Sequence, residues 1–227
     1  MRKEKIYIVE PQQKYTFAEA LSYHEKYDYN QYEICPTCGR RISGAKWIGE
    51  KVFTVGKKRI PDFLYAYGGT DLPFVVSEKA YSVLKENGIK GIVNAEKIDK
   101  ILRKGERLDH VFFDLSVMRC DYPIDYERSK IAFGKDDMTR KKCELCNPFG
   151  RCWDFIFSLH FSSEVEIRED IFTTYQTGGM LFLSETFIRV CAENGLTGLN
   201  YKPIHKYDSS MGIFSQSEIS NMICKKE

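Results

Sequence analysis

An internal match constrains this chain more than any other feature. Shifted by 107 residues, FVVSEKAYSVLKENGIKGI (Phe74 to Ile92) falls on LFLSETFIRVCAENGLTGL (Leu181 to Leu199). Ser77/Ser184, Glu78/Glu185, Val83/Val190, Glu86/Glu193, Asn87/Asn194, Gly88/Gly195 and Gly91/Gly198 are identical pairs, and most other positions exchange one apolar residue for another. An offset longer by one residue sets Cys35 and Cys38 on Cys143 and Cys146, and PDFLYAY (Pro61 to Tyr67) on EDIFTTY (Glu169 to Tyr175). Two copies predict a tandem duplication rather than a stacked array, which needs three or more units. The seam is expected near Gly105, dividing the chain into halves 1–107 and 108–227, each carrying one CxxC knuckle and together forming one compact unit.

The matched segments carry local signals. Phe74-Val75-Val76 and Leu181-Phe182-Leu183 are short apolar runs suited to buried strands. Ser77 and Ser184 are placed to cap helices, with Glu78 and Glu185 in the first turn, where the helix dipole favours negative charge. Ala80, Tyr81, Val83 and Leu84, and Phe187, Ile188, Val190 and Cys191, supply one apolar face. Gly88 and Gly195 end the helices, and Ile89 and Leu196 fall where a Schellman cap makes its hydrophobic contact. Extended chain should resume at Gly91-Ile92-Val93 and Gly198-Leu199. Each half therefore reads as strand, helix, strand, and with further strands at Lys5 to Val9, Val52 to Val55, His110 to Met118 and Phe155 to Phe161 the class is α+β.

Cys35-Pro-Thr-Cys38-Gly39 and Cys143-Glu-Leu-Cys146-Asn147 have the spacing with which a tight turn presents two thiolates to a tetrahedral metal. Two such turns complete a four-cysteine site, expected to hold one structural Zn2+ per chain and to join the halves at a pseudo-twofold axis. The residue after the second cysteine commonly takes positive φ, which accounts for Gly39 and is tolerated by Asn147. The 104 residues from Gly39 to Lys142 exceed ordinary zinc-ribbon spacing, and duplication explains the excess. Cys152, Cys120 or His160 are alternative ligands for the second knuckle. A redox dithiol wants its first cysteine at a helix N-terminus, whereas Gly-Arg-Arg-Ile-Ser-Gly after Cys38 is turn-like. Buried free thiols are the plainer reading, but paired spacing at matched repeat positions argues against it. Cys191 and Cys224 read as core or surface thiols. A closed four-thiolate site is structural, not catalytic.

The rest of the sequence offers little chemistry. HExxH, GxSxG, the P-loop and a GxGxxG between strand and helix are absent, Gly68-Gly69 and Gly178-Gly179 read as turns, and His24, His110, His160 and His205 are scattered. His160 in FSLHFSS is the nearest to a catalytic base, although a single His on a mixed strand is more often structural. No enzyme is expected. With 34 Lys and Arg against 32 Asp and Glu the formal net charge is +2, so no global field recruits nucleic acid or anionic membrane. Arg40-Arg41, Lys57-Lys58-Arg59 and Arg140-Lys141-Lys142 are local basic clusters, the last beside Asp136, Asp137 and Glu144. They keep a nucleic-acid-binding or regulatory zinc protein as the alternative reading. The N-terminus lacks the apolar core of a signal peptide and no run is long enough to span a bilayer, so the cytoplasm is the expected location, with free thiols.

The CPxCG knuckle about 35 residues in, the second CxxC past the midpoint and the block DIFTT…FLSETFIRVCAENGLTGLNYKPI resemble the bacterial double-CXXCG motif proteins, which include immunity proteins of contact-dependent polymorphic toxin systems. Cys35, Cys38 and Gly39 fit the first motif and Cys143 and Cys146 the second, while Asn147 replaces the family's second glycine. The resemblance implies a non-enzymatic cytosolic antitoxin that binds and neutralises a cognate toxin protein. Tyr23, Tyr27, Tyr29 and Tyr32 in SYHEKYDYNQYE suit a protein interface, and Glu25, Asp28 and Glu33 would face a basic toxin.

Overall fold

The computed structural model describes residues 5–10, 17–20, 27–28, 32–43, 46–47, 49–56, 60–67, 74–134, 141–210 and 217–219. Gly68-Gly69, Lys57-Lys58-Arg59, Arg140, Asp136, Asp137, His24, Glu25, Tyr23, Tyr29 and Cys224 lie outside them, as does the side chain of Tyr27.

The fold is α+β, mostly sheet with few helices. The first half contributes β1 (Ile6–Val9), β2 (Phe17–Ala20), β3 (Tyr27–Asp28), β4 (Lys46–Trp47), β5 (Val52–Val55), β6 (Phe63–Tyr67), β7 (Phe74–Ser77), helix α1 (Glu78–Glu86), β8 (Ile92–Lys97), β9 (Lys100–Arg103) and β10 (Glu106–Arg107). The second contributes β11 (Phe112–Cys120), β12 (Lys130–Phe133), β13 (Trp153–Ser158), β14 (Ile171–Thr174), β15 (Phe182–Ser184), helix α2 (Glu185–Glu193) and β16 (Tyr201–Pro203). Twelve strands form one sheet in the order β10-β9-β5-β2-β6-β7-β11-β14-β15-β1-β16, with β8 also on β11. Both β3–β4 and β12–β13 are separate antiparallel hairpins.

The helices form where the capping signals place them. Ser77 accepts from the Ala80 N–H at 3.1 Å and Ser184 from Phe187 at 3.0 Å. At the other ends the two Schellman bonds close: Ile89 N–H to Leu84 O and Gly88 to Lys85, Leu196 to Cys191 and Gly195 to Ala192, all between 3.0 and 3.1 Å. Strands at Ile6–Val9 and Val52–Val55 match expectation closely. The strand expected at His110 to Met118 runs two residues later. That expected at Phe155 to Phe161 stops at Ser158, because the Leu159 N–H turns to Ile204 O and the His160 N–H to Ser129 Oγ. Extended chain in the second half resumes at Tyr201, where it pairs with β1, rather than at Gly198.

Strands cross the boundary at 107/108 in both directions. β11 lies antiparallel to β7 and β8 and, at its far end, parallel to β14. β1 lies antiparallel to β15 and β16. A single core cluster takes Phe63, Phe74, Val76, Ala80 and Leu84 from the first half and Leu115, Ile171, Leu183, Phe187 and Val190 from the second. Burying such side chains contributes roughly 1.5–3 kcal/mol each, so separating the two halves would expose this shared cluster.

Asp62 and Asp170 hold the junction in matching ways. Asp62 accepts from its own half's cap, Ser77 Oγ, at 2.8 Å, and from the Thr197 N–H after α2 at 2.8 Å. Asp170 accepts from Ser184 Oγ at 2.7 Å and from the Lys90 N–H after α1 at 2.9 Å. Each carboxylate thus ties its own helix start to the other half's helix exit. Hydrogen bonds to a charged group are worth about 1.5–3 kcal/mol, so Asp62→Ala is expected to cost about 3 kcal/mol, with Asp170→Ala similar. A thermal melt should show a fall of about 6–12 °C for a chain of this size. A fall under 2 °C would mean that water replaces the carboxylate without loss.

Candidate metal centre

Both cysteine pairs sit between the strands of a hairpin, the first between β3 and β4 and the second between β12 and β13. In the first knuckle Ile34 bridges Arg41, the Cys35 N–H bonds Arg40 O at 2.7 Å and the Gly39 N–H bonds Cys35 O at 2.9 Å. Gly39 takes φ +69° there. The second knuckle closes differently: Cys143 and Asn147 exchange N–H to carbonyl bonds of 2.9 and 2.8 Å. Asn147 stays outside the left-handed region, and Gly150 takes φ +70° instead. Positive φ directly after the cysteines therefore holds at Gly39 and not at Asn147, because the second turn satisfies its backbone pair internally and reverses three residues later.

The knuckles meet. One ligand atom from each of Cys35, Cys38, Cys143 and Cys146 lies within 4.8 Å of the others. Cys35 Sγ is 3.7 Å from Cys143 Sγ, and Cys38 Sγ is 3.6 Å from Cys146 Sγ. Each sulfur faces the cysteine 108 residues away in the chain, and all four thiols are free. Four such sulfurs can hold a metal ion. Cys120 and Cys152 do not join the quartet. Cys120 is buried beside Glu169, and burial followed by that carboxylate pushes its thiol up to about 12. His160 stands with its ring centroid 6.4 Å from that of His205. Burial and then Arg128 lower its pKa, which suits a neutral structural imidazole. Cys191 packs in the core with its thiol raised to about 12 by burial.

The charge balance inside the quartet is that of thiols competing to ionise. Burial opposes the Cys143 thiolate, but hydrogen bonds from the Cys146 backbone, the Cys38 and Cys146 thiols and the Leu145 backbone outweigh it and lower the pKa to about 7. Burial, then the neighbouring thiols of Cys143, Cys38 and Cys35, raise Cys146. At Cys38 a backbone hydrogen bond with Arg40 favours the thiolate, yet desolvation and Cys143 leave the pKa raised. Negative charge at one sulfur suppresses it at the next; a cation among them removes that conflict.

Residues outside the cysteine pairs hold the knuckles in place, among them Arg119 and Gln176, which carry no sequence signal. Arg119, nearly buried on β11, reaches the Glu33 carboxylate at 2.8 Å and the carbonyls of Thr174 and Gly178 at 3.3 and 3.4 Å. Glu33, an expected toxin-facing acid, is thus engaged within the fold. Arg40 Nη2 donates to Lys141 O at 2.7 Å, directly joining the two knuckles. Gln176 Nε2 donates to Glu144 O at 3.3 Å. Phe149 packs on Tyr126 and Phe133 with centroids 4.6 and 4.9 Å away, and Trp153 closes on Tyr126 at 6.2 Å. The second knuckle is thus followed by an aromatic cluster, and the first knuckle is tied to the second through Arg40.

A family model described as Immunity protein family (Imm11) matches residues 19–206, a span that contains both cysteine pairs. The chain belongs to this immunity protein family. A search of the curated proteins finds no match. Membership gives the chain a toxin as its partner in general terms. Among the described residues no helix is long and apolar enough to cross a membrane.

Proposed function

We propose that the chain is a non-enzymatic immunity protein of the cytoplasm that binds and neutralises one cognate bacterial toxin, on a scaffold clamped by a structural zinc ion at Cys35, Cys38, Cys143 and Cys146. Family membership over most of the chain carries the first part. The quartet carries the second. Zn–S bonds of about 2.3 Å in a tetrahedron set sulfurs about 3.8 Å apart, and the two sulfur pairs stand at 3.7 and 3.6 Å. A four-thiolate set leaves no position for water or substrate, so the ion supplies cross-linking rather than chemistry.

The halves 1–107 and 108–227 read as products of duplication fused into one unit. Support comes from sulfurs that face their own repeat equivalents and from the matching Asp62 and Asp170 junctions. The nucleic-acid reading rests on the basic clusters at Arg40-Arg41 and Lys141-Lys142. It loses because Arg40 is spent on the Lys141 carbonyl, and the Arg41 guanidinium lies 4.9 Å over the Tyr32 ring with its Nε on Ser43 O at 2.8 Å.

The decisive experiment is co-expression with the toxic C-terminal domain of a large secreted protein encoded beside this chain. Growth should be restored, and the two proteins should co-purify. Continued killing at equal expression would overturn the immunity reading, and binding of RNA or DNA at low salt in its place would favour the alternative.

A further inference from the structure

The quartet is asymmetric in a way that a purely structural clamp does not require. Cys35 and Cys143 are both buried and face one another, whereas Cys38 is exposed and faces the half-buried Cys146. Solvent thus reaches one sulfur pair and not the other. A disulfide needs its sulfurs about 2.05 Å apart, so a shift of about 1.6 Å would join Cys38 to Cys146. Oxidation of a thiol depends on its access to the oxidant as well as on its ionisation, and of the four Cys38 has the access and faces a second cysteine that can resolve the product. The link would close a loop of more than a hundred residues, for which chain entropy predicts strong stabilisation.

We infer that the quartet is a redox-modification site, in which hydrogen peroxide converts Cys38 and Cys146 into a disulfide between the two halves, with Cys35 and Cys143 following more slowly. Cys38 Sγ attacks the peroxide: an S–O bond forms, the O–O bond breaks, and the leaving hydroxide takes a proton to become water. Cys146 Sγ then attacks the Cys38 sulfur, forming S–S and breaking S–O, and a second water leaves. The two sulfurs together give up two electrons, which the peroxide accepts. Losing two thiolates frees any bound ion, yet the knuckles stay joined because the new bond spans the interface that the ion spanned. The clamp changes chemistry and keeps its connectivity.

This rests on the structural-metal reading only for the release of the ion, so the two can fail separately. The full-length chain as purified is treated with hydrogen peroxide, free thiols are blocked, and peptides are mapped by mass spectrometry without reduction. In parallel, released metal is followed with a chromophoric chelator. The expected result is a Cys38–Cys146 peptide first and a Cys35–Cys143 peptide several-fold later, with metal release rising one-to-one with the first. A Cys38→Ser/Cys146→Ser variant should yield only the slower pair. Linkage of Cys35 to Cys38 or Cys143 to Cys146, or conversion to sulfinic acid without cross-links, would overturn the inference. Absence of metal before oxidation would count against the zinc reading alone, since the order of pairing is still read from the peptides.

Discussion

Cys143→Ser and Cys35→Ser should each abolish metal retention, measured by elemental analysis as a drop from about one zinc per chain to none. Both should lower the melting temperature by the same amount. Apparent binding energies of structural zinc reach about 10–16 kcal/mol in small domains. Here a shared core persists without the ion, so the loss is expected on the order of 5 kcal/mol, or about 10–20 °C. Equality is the informative part. A single ion held by Cys35, Cys38, Cys143 and Cys146 would tie the first hairpin to the second, and cutting either side would release the same clamp. Hydrogen exchange should then report loosening at both knuckles and along Arg119 to Glu33. Two zincs in the parent chain, or loosening confined to the mutated knuckle, would show separate sites and refute the bridge.

The second large effect is expected at glycine. Gly91 takes φ +101°, and a Cβ built there would overlap the carbonyl oxygen of Ile171 and stand 3.2 Å from Glu169 Cβ. Gly198 takes φ +92°, and its Cβ would stand 2.5 Å from Pro61 Cβ and 2.6 Å from Phe63 O. Each glycine lets the chain after one helix press against the strand entry of the other half, where Ile171 N–H bonds Lys90 O at 3.1 Å and Phe63 N–H bonds Thr197 O at 3.0 Å. Alanine at either position adds backbone strain of about 1–2 kcal/mol and a clash worth about 1–3 kcal/mol. Gly91→Ala and Gly198→Ala are therefore expected to lose about 2–5 kcal/mol and to show steeply reduced soluble yield. Gly105→Ala is the control: its φ is also positive, at +82°, but no atom lies within 4 Å of the added carbon. It should cost only the strain, about 1 kcal/mol. Comparable denaturant midpoints for all three variants would mean that close approach at Gly91 and Gly198 does not matter.

Several parts of this architecture were legible in the chain because their causes are local. A cap such as Ser77 with Ala80, or a Schellman bond from Ile89 to Leu84, closes within a few residues, so adjacency in sequence nearly specifies it. The paired cysteines are similar: a CxxC turn presents its thiols whatever surrounds it. The tilt of the second turn was not legible, since nothing in Asn147-Pro148-Phe149-Gly150 indicates that reversal waits for Gly150. Of the two hairpins that carry the knuckles, only β13 had a sequence signal, in the strand expected from Phe155; β3, β4 and β12 are short strands without clear alternation. Arg119 gave no signal, because an arginine on a strand becomes an anchor only when Glu33, Thr174 and Gly178 arrive around it.

By itself the sequence determined that two matching segments each form a capped helix after a buried strand, that each half offers one CxxC pair, and that Gly91 and Gly198 occupy matching positions. It did not determine whether each half satisfies its own groups or its partner's. Matching segments offer equivalent backbone N–H groups, so Asp62 could serve the loop after α1 or the loop after α2 with similar chemistry. Tertiary structure decided for exchange: Asp62 takes Thr197, Asp170 takes Lys90, and Cys35 faces Cys143. The physical reason is the sheet. With β11 between β7 and β14, and β1 beside β15, the helix exits pack against the opposite half, and the two cysteine turns are carried to one point.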